Sequence, residues 1–221
     1  MKLAYEKMNT VMEIIPTHVT GLIIENAGFL YNFLNDLYKA TEDIDCGMVV
    51  SENEQPIRLS KNVSAITDFI GFTTNQKSLL TKIVSELEKT ACNGEFYEKT
   101  QRMLAYVENY VNELTFGYSC ELSCEKLNVQ SLLKGLGISL VDDYDSLEEK
   151  VLAYMDLARE FEGKKLFILY NLRCLIPADR LQLMINTAIE REHYLLIVDN
   201  MDYPILDNEK RIIVDSDLCE I

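Results

Sequence analysis

The chain has 221 residues, of which 48% are hydrophobic and 26% charged, with only 9 Gly and 4 Pro. That apolar content excludes a wholly disordered chain. No stretch approaches the roughly 18 uninterrupted apolar residues of a membrane-spanning helix. The opening Met1-Lys2-Leu3-Ala4-Tyr5-Glu6-Lys7 lacks the apolar core of a secretory signal, so a cytoplasmic protein without membrane contact is expected.

The net charge is −15, from 21 basic and 36 acidic side chains. Charge of this sign opposes DNA in the far field, because a duplex is a dense line of phosphates. Binding nevertheless depends on where the 21 cations sit. One basic face on an acidic protein could hold DNA, and clustered carboxylates could call for divalent cations. The six cysteines stand at 46, 92, 120, 124, 174 and 219, without a Cys-x-x-Cys pair, and the only histidines are His18 and His193. A zinc site is not expected, and the cysteines read as reduced, small apolar side chains.

In chain order, Val11–Ile15 and Val19–Ile24 read as short strands. The apolar positions 30, 33, 34 and 37 then place a helix over Phe29–Tyr38. Gly47–Val50 and Ile57–Leu59 suggest two strands around the turn 52–56, and 60–68 suggests a short helix or turn. From Asn75 to about Thr90, Leu79, Leu80, Ile83, Val84 and Leu87 share one helical face. A second amphipathic helix spans about Glu95–Leu114, and Asn93-Gly94 joins the two as a hairpin. Such a hairpin needs a third helix, the rest of the chain or another subunit to cover its apolar stripe. A short helix around Val129–Lys134 stops at Gly135-Leu136-Gly137, and Ile138–Val141 is a strand candidate. Ser146-Leu147-Glu148-Glu149 has the form of a capping box.

The last third alternates strand and helix. Leu166–Tyr170, Tyr194–Val198 and Arg211–Val214 are apolar strands, and Pro177-Ala178-Asp179 opens a helix. Continuous apolar strands separated by a helix imply a parallel sheet covered on both faces. The expectation is an α/β head, residues 1–69 and 138–221, whose N-terminal strands join the same sheet. A helical leg is inserted at 70–137.

Such a sheet invites a nucleotide. Leu195-Leu196-Ile197-Val198-Asp199 has the form of an acidic strand end that places Mg²⁺ in P-loop enzymes. The required Gly-x-x-x-x-Gly-Lys-Ser/Thr is missing: Ile24 is followed by Glu25-Asn26-Ala27-Gly28-Phe29, with one Gly and no Lys. Asp199 then reads as a turn or cap residue. There is no Gly-x-Ser-x-Gly, no distinguished Cys–His pair, and both histidines read as structural. Acidic side chains gather at Asp142-Asp143-Tyr144-Asp145, at Glu148-Glu149, and at Glu121 and Glu125, which share a face if that segment is helical. Such oxygens suit Ca²⁺, but from spacing alone a solvated face and a helix N-terminus that favours acids explain them better.

Met12-Glu13-Ile14, Ile66–Phe72, Leu79–Ile83, Leu132–Ile138 and Lys164–Ile168, taken in that order, resemble the accessory adaptation protein family of subtype II-A CRISPR systems. The resemblance spans nearly the whole chain and includes no catalytic motif. It implies a P-loop-ATPase-like parallel-sheet head lacking a nucleotide site, an inserted α-helical leg and no enzymatic activity. It also implies a ring-shaped homotetramer whose basic bore encloses double-stranded DNA ends without sequence preference. Ca²⁺ would hold the ring, and the partners in spacer acquisition would be an RNA-guided nuclease and the spacer-integration proteins. Lys82 and Lys134, in the matching motifs, and Lys61 and Lys77 become candidates for phosphate contacts, and Glu121 and Glu125 for calcium. The family's dense acidic run is thinned here, since Ser123 replaces a carboxylate and Lys126 adds a positive charge. A degenerate P-loop-like NTPase and a protein-interaction module without DNA binding are the alternatives.

Overall fold

The computed structural model describes all residues except Glu121 and Cys124. The first half contains β1 (Lys2–Tyr5), β2 (Met12–Glu13), β3 (Val19–Ile24), α1 (Ala27–Thr41), β4 (Met48–Glu52), β5 (Gln55–Ile57), α2 (Leu59–Asn62) and β6 (Val63–Ile66). Three helices follow: α3 (Lys77–Cys92), α4 (Tyr97–Thr115) and α5 (Val129–Gly135). The chain closes with α6 (Leu147–Leu157), β7 (Leu166–Tyr170), α7 (Ala178–Glu190), β8 (Tyr194–Asp199) and β9 (Glu209–Val214). Two units result: a head, Met1–Thr74 with Asp142–Ile221, and a leg, Asn75–Val141.

The head has the expected α/β class. Its central sheet is parallel, in the order β6-β7-β8-β3-β9. All six residues of β3 are buried, as an unbroken apolar run flanked on both sides requires. Leu22, Ile24, Leu166, Ile168, Leu196 and Val198 pack with Leu30, Phe33 and Leu37 of α1 on one face. On the other, the Tyr154 hydroxyl of α6 lies 2.9 Å from Ser64 Oγ of β6, and α7 packs beside α6.

Three expectations are corrected. Of the N-terminal strands expected from the sequence, only β3 enters the parallel sheet. β2, β1, β4 and β5 form their own antiparallel sheet, in which β1–β2 and β4–β5 pair as chain neighbours and β1–β4 joins the two pairs. The segment 60–68 contains not only the short α2 but also β6, which pairs with the distant β7. Finally, 138–141 is not a strand. Its backbone is held by a side chain instead: Leu140 N donates to Asn75 Oδ1 at 2.7 Å, and Asn75 Nδ2 donates to Leu140 O at 3.0 Å.

In the leg, α3 and α4 form the expected hairpin around Gly94, whose φ of 55° is left-handed. The apolar stripe finds its third element in α5, which packs on α3. Leu79 is fully buried, and Val84, Leu104 and Val129 nearly so.

Candidate nucleic-acid interface

Charge is divided unevenly between the two units. Residues 75–141 carry 7 basic and 8 acidic side chains, whereas the rest of the chain carries 14 and 28. Within the leg the acids also cluster. Residues 75–84 and 126–141 contain Lys77, Lys82, Lys126 and Lys134 and no Asp or Glu.

The structure brings two of the four candidate lysines together. Lys77 and Lys134 line one groove of about 310 Å³ between α3 and α5, over a floor that includes Leu80, Val84, Leu133 and Ile138. Helical geometry explains the pairing: positions 77, 80, 81 and 84 fall on the α3 face that meets α5. Both lysines are exposed, and Lys134 Nζ donates to Gln130 Oε1 at 3.3 Å. Lys82, also exposed, stands about 140° further round α3 than Lys77 and faces elsewhere. Lys61 belongs to the head, exposed on α2.

The second leg cavity has the opposite character. It measures about 490 Å³ and is lined by Val107, Glu108, Val111, Asn112, Glu125, Lys126 and Leu127. Of the proposed calcium ligands, Glu125 is exposed at its edge and Glu121 lies outside the described residues. The described residues between 122 and 128 adopt no helix, and the expected shared face of Glu121 and Glu125 falls outside the described residues. Glu125 shares this cavity with Glu108 and Asn112, one turn apart on α4, which sequence spacing alone did not single out. Glu108 Oε1 already accepts the Leu127 N–H at 3.3 Å. Two carboxylates and an amide are suitable oxygen donors, but fewer than the roughly six to eight that Ca²⁺ takes. Among the described residues no three His, Cys, Asp or Glu converge on a metal position.

The β3–α1 junction has the strand–loop–helix layout of a phosphate-binding loop, but its groups are committed elsewhere. Asn26 caps α1 by accepting from Phe29 N at 3.0 Å, and its amide donates to Ser216 O at 3.0 Å. One first-turn N–H of the helix is therefore satisfied from within the chain. On the neighbouring strand, Asp199 is neither a turn nor a cap residue. It is fully buried and paired with Arg173, with Nε and Oδ2 2.8 Å apart. Arg173 also donates to Glu209 at 2.6 Å, and Arg211 joins Glu209 to Asp202. This chain of three acids and two arginines leaves one carboxylate in excess. Burial pushes Asp199 up to about 6, with Arg173 opposing the shift.

Both histidines are buried. His193 is buried against Phe167, with Nε2 2.8 Å from Asp156 Oδ1 and Nδ1 enclosed without a partner. Burial lowers its pKa, against the pull of Asp156. His18 is buried beside β3.

Residues 40–218 match the family model described as CRISPR-associated protein, Cas_Csn2. The chain belongs to this family. A CRISPR-associated protein Csn2 from Enterococcus faecalis is 25% identical over 118 residues, 53% of this chain and 54% of that one. The chain thus spans about half the length of that relative. Among solved structures, a putative ABC transporter ATP-binding protein from Pyrococcus furiosus aligns with a TM-score of 0.40 and 13% identity, over 95% of this chain and 93% of that one. The recombination mediator RecF aligns with a TM-score of 0.40 and 10% identity, over 96% and 94%. Family membership makes this a CRISPR-associated accessory protein, and no helix among the described residues is long and apolar enough to cross a membrane.

Proposed function

We propose that the protein is a non-enzymatic, ring-forming homotetramer that binds double-stranded DNA ends without sequence preference during CRISPR spacer acquisition in the cytoplasm. The observation that carries this reading is the α3–α5 groove, which offers Lys77 and Lys134 and no carboxylate in a chain of net charge −15. Lysines in that setting grip phosphates and not base edges, so affinity ignores sequence and falls steeply with salt. Lys82 and Lys61 supply further contacts. The acidic remainder of the surface repels DNA and confines it to the basic strip.

Assembly is supported by α4. Met103, Tyr106, Tyr110 and Leu114 lie within a narrow stripe on this helix and are 42–75% exposed. A second protomer covering that stripe would bury it. Glu125, with Glu108 and Asn112 beside it, would help hold Ca²⁺, whose double charge would offset the local carboxylates. Glu121 stays a candidate ligand from the sequence. The RNA-guided nuclease and the spacer-integration proteins are the expected partners. Against the NTPase alternative stand the Asn26-capped helix and the Arg173-paired Asp199, which leave neither a phosphate cradle nor a free Mg²⁺ ligand.

The test is a gel shift of linear and closed-circular duplex of equal sequence. Linear DNA binds and circular DNA does not, because a closed ring is entered from an end. Equal binding contradicts threading, and binding to neither by an intact tetramer with calcium present leaves the interaction-module alternative.

A further inference from the structure

A groove in the head has a chemistry that duplex phosphates do not use. It measures about 400 Å³ and lies between α1 and the β6–β7 side of the parallel sheet. Its polar lining is Tyr31, Asn35, Tyr38 and Thr41 from α1, Thr67 beyond β6, and Tyr170 at the end of β7. Tyr31, Asn35 and Tyr38 recur at intervals of four and three, so they form one ridge along the helix. Two bulky aromatic side chains on that ridge stand open: Tyr31 is 69% and Tyr38 65% exposed. No charged side chain lines the groove.

A neutral cleft with aromatic walls and a central carboxamide suits a planar ring that has a hydrogen-bonding edge. Nucleobases stack on tyrosine regardless of sequence, and an Asn amide can pair with a base edge through both its oxygen and its nitrogen. The cleft lacks the counter-charge for a phosphate, but α2 provides it. Arg58 stands at the N-terminus of this short helix and Lys61 on it, and the helix packs against α1 and runs directly into β6. Both are exposed and neither pairs with an acid among the described residues. Neither residue lines the groove, but both lie on the segment that packs beside its α1 wall.

We infer that this groove takes an unpaired terminal base of DNA, with the adjoining phosphates on Arg58 and Lys61. This rests on the DNA-end reading and deepens it, because it makes a single-stranded overhang the preferred end.

The test compares two fluorescent duplexes of equal length, one blunt and one with a four-nucleotide dA overhang, by anisotropy. The wild-type protein binds the overhang roughly tenfold more tightly, the scale of one stacked base. The double variant Tyr31→Ala/Tyr38→Ala loses that preference while its blunt-end affinity and melting temperature stay put. Tyr31→Phe/Tyr38→Phe, which keeps both rings, retains it. Equal wild-type affinity for both duplexes overturns the inference, as does a preference that survives removal of both rings. If neither duplex binds, the end-binding reading fails by itself. The groove is then read with a free dA tetranucleotide by quenching of tyrosine fluorescence. Quenching that the alanine variant abolishes supports the groove, and no quenching overturns it.

Discussion

The head and the leg solve the burial problem differently. In the head, a parallel sheet covered on both faces encloses long apolar runs, and Leu22, Ile24, Phe167, Leu169, Leu196 and Val198 are completely buried. In the leg, three helices share a thin seam, and among the described residues only Leu79 reaches that depth. The head can therefore carry a large acidic surface excess, because its stability comes from within. The leg keeps nearly balanced charge and leaves apolar and basic side chains open. Stability and contact with partners are divided between the units, and the functional proposal places duplex phosphates in the leg.

The contrast breaks first in the cores. Phe33→Ala, at the centre of the α1–sheet contact, should cost about 3–5 kcal/mol and unfold much of the head at 37 °C, as read by calorimetry. Leu79→Ala should cost less, about 2–3 kcal/mol, because its half-exposed neighbours can close over the void. Hydrogen exchange should show protection lost over 75–141 and kept in β3, β7 and β8. Equal losses in both units would mean that they unfold as one.

A smaller effect separates two buried carboxylates of the head. Asp36 accepts from Lys7 at 2.8 Å and from Tyr5 at 2.7 Å, and those bonds hold it at about 2. A depressed acid stabilises the fold above its unfolded pKa, near 4, and this is lost as pH falls toward 2. Asp36→Asn should lower the melting temperature by several degrees at pH 7 and hardly at all near pH 2. Asp199 has the reverse sign. Its raised pKa means that ionisation costs the fold, increasingly as pH rises from about 4 to 6 and fully above that. Asp199→Asn should therefore raise the melting temperature by about 2–4 °C at pH 8, and change it little at pH 4. A large drop at pH 8 would show instead that the Arg173 pair is net stabilising.

The long periodic stretches were legible in sequence. β3, β7, β8, α3 and α4 each bury enough of one pattern to declare their type. β6 was not, since Val63-Ser64-Ala65-Ile66 is short, mixes polar with apolar residues, and pairs with a strand beyond the whole leg. β1 escaped for a similar reason: four residues of alternating character follow the first methionine. Asp199 was visible as a strand end, but its partners Arg173 and Glu209 come from other segments, and no spacing rule joins them. The candidate site was legible only as residue types. That Lys77 and Lys134 line one groove, and that Glu125 shares a cavity with Glu108 and Asn112, follows from how α5 lies on α3 and residues 125–127 lie on α4.

The most direct test of this division is the affinity of Lys77→Glu/Lys134→Glu for linear duplex, measured across a salt series beside a head control, Lys2→Glu/Lys210→Glu, of equal net charge. The leg variant should bind at least a hundredfold more weakly, with a shallower salt dependence, and keep its melting temperature, since exposed lysines contribute little to stability. The head control should stay within about threefold of wild type, as expected for a diffuse charge effect. Equal losses in the two variants would contradict the assignment of DNA to the α3–α5 groove.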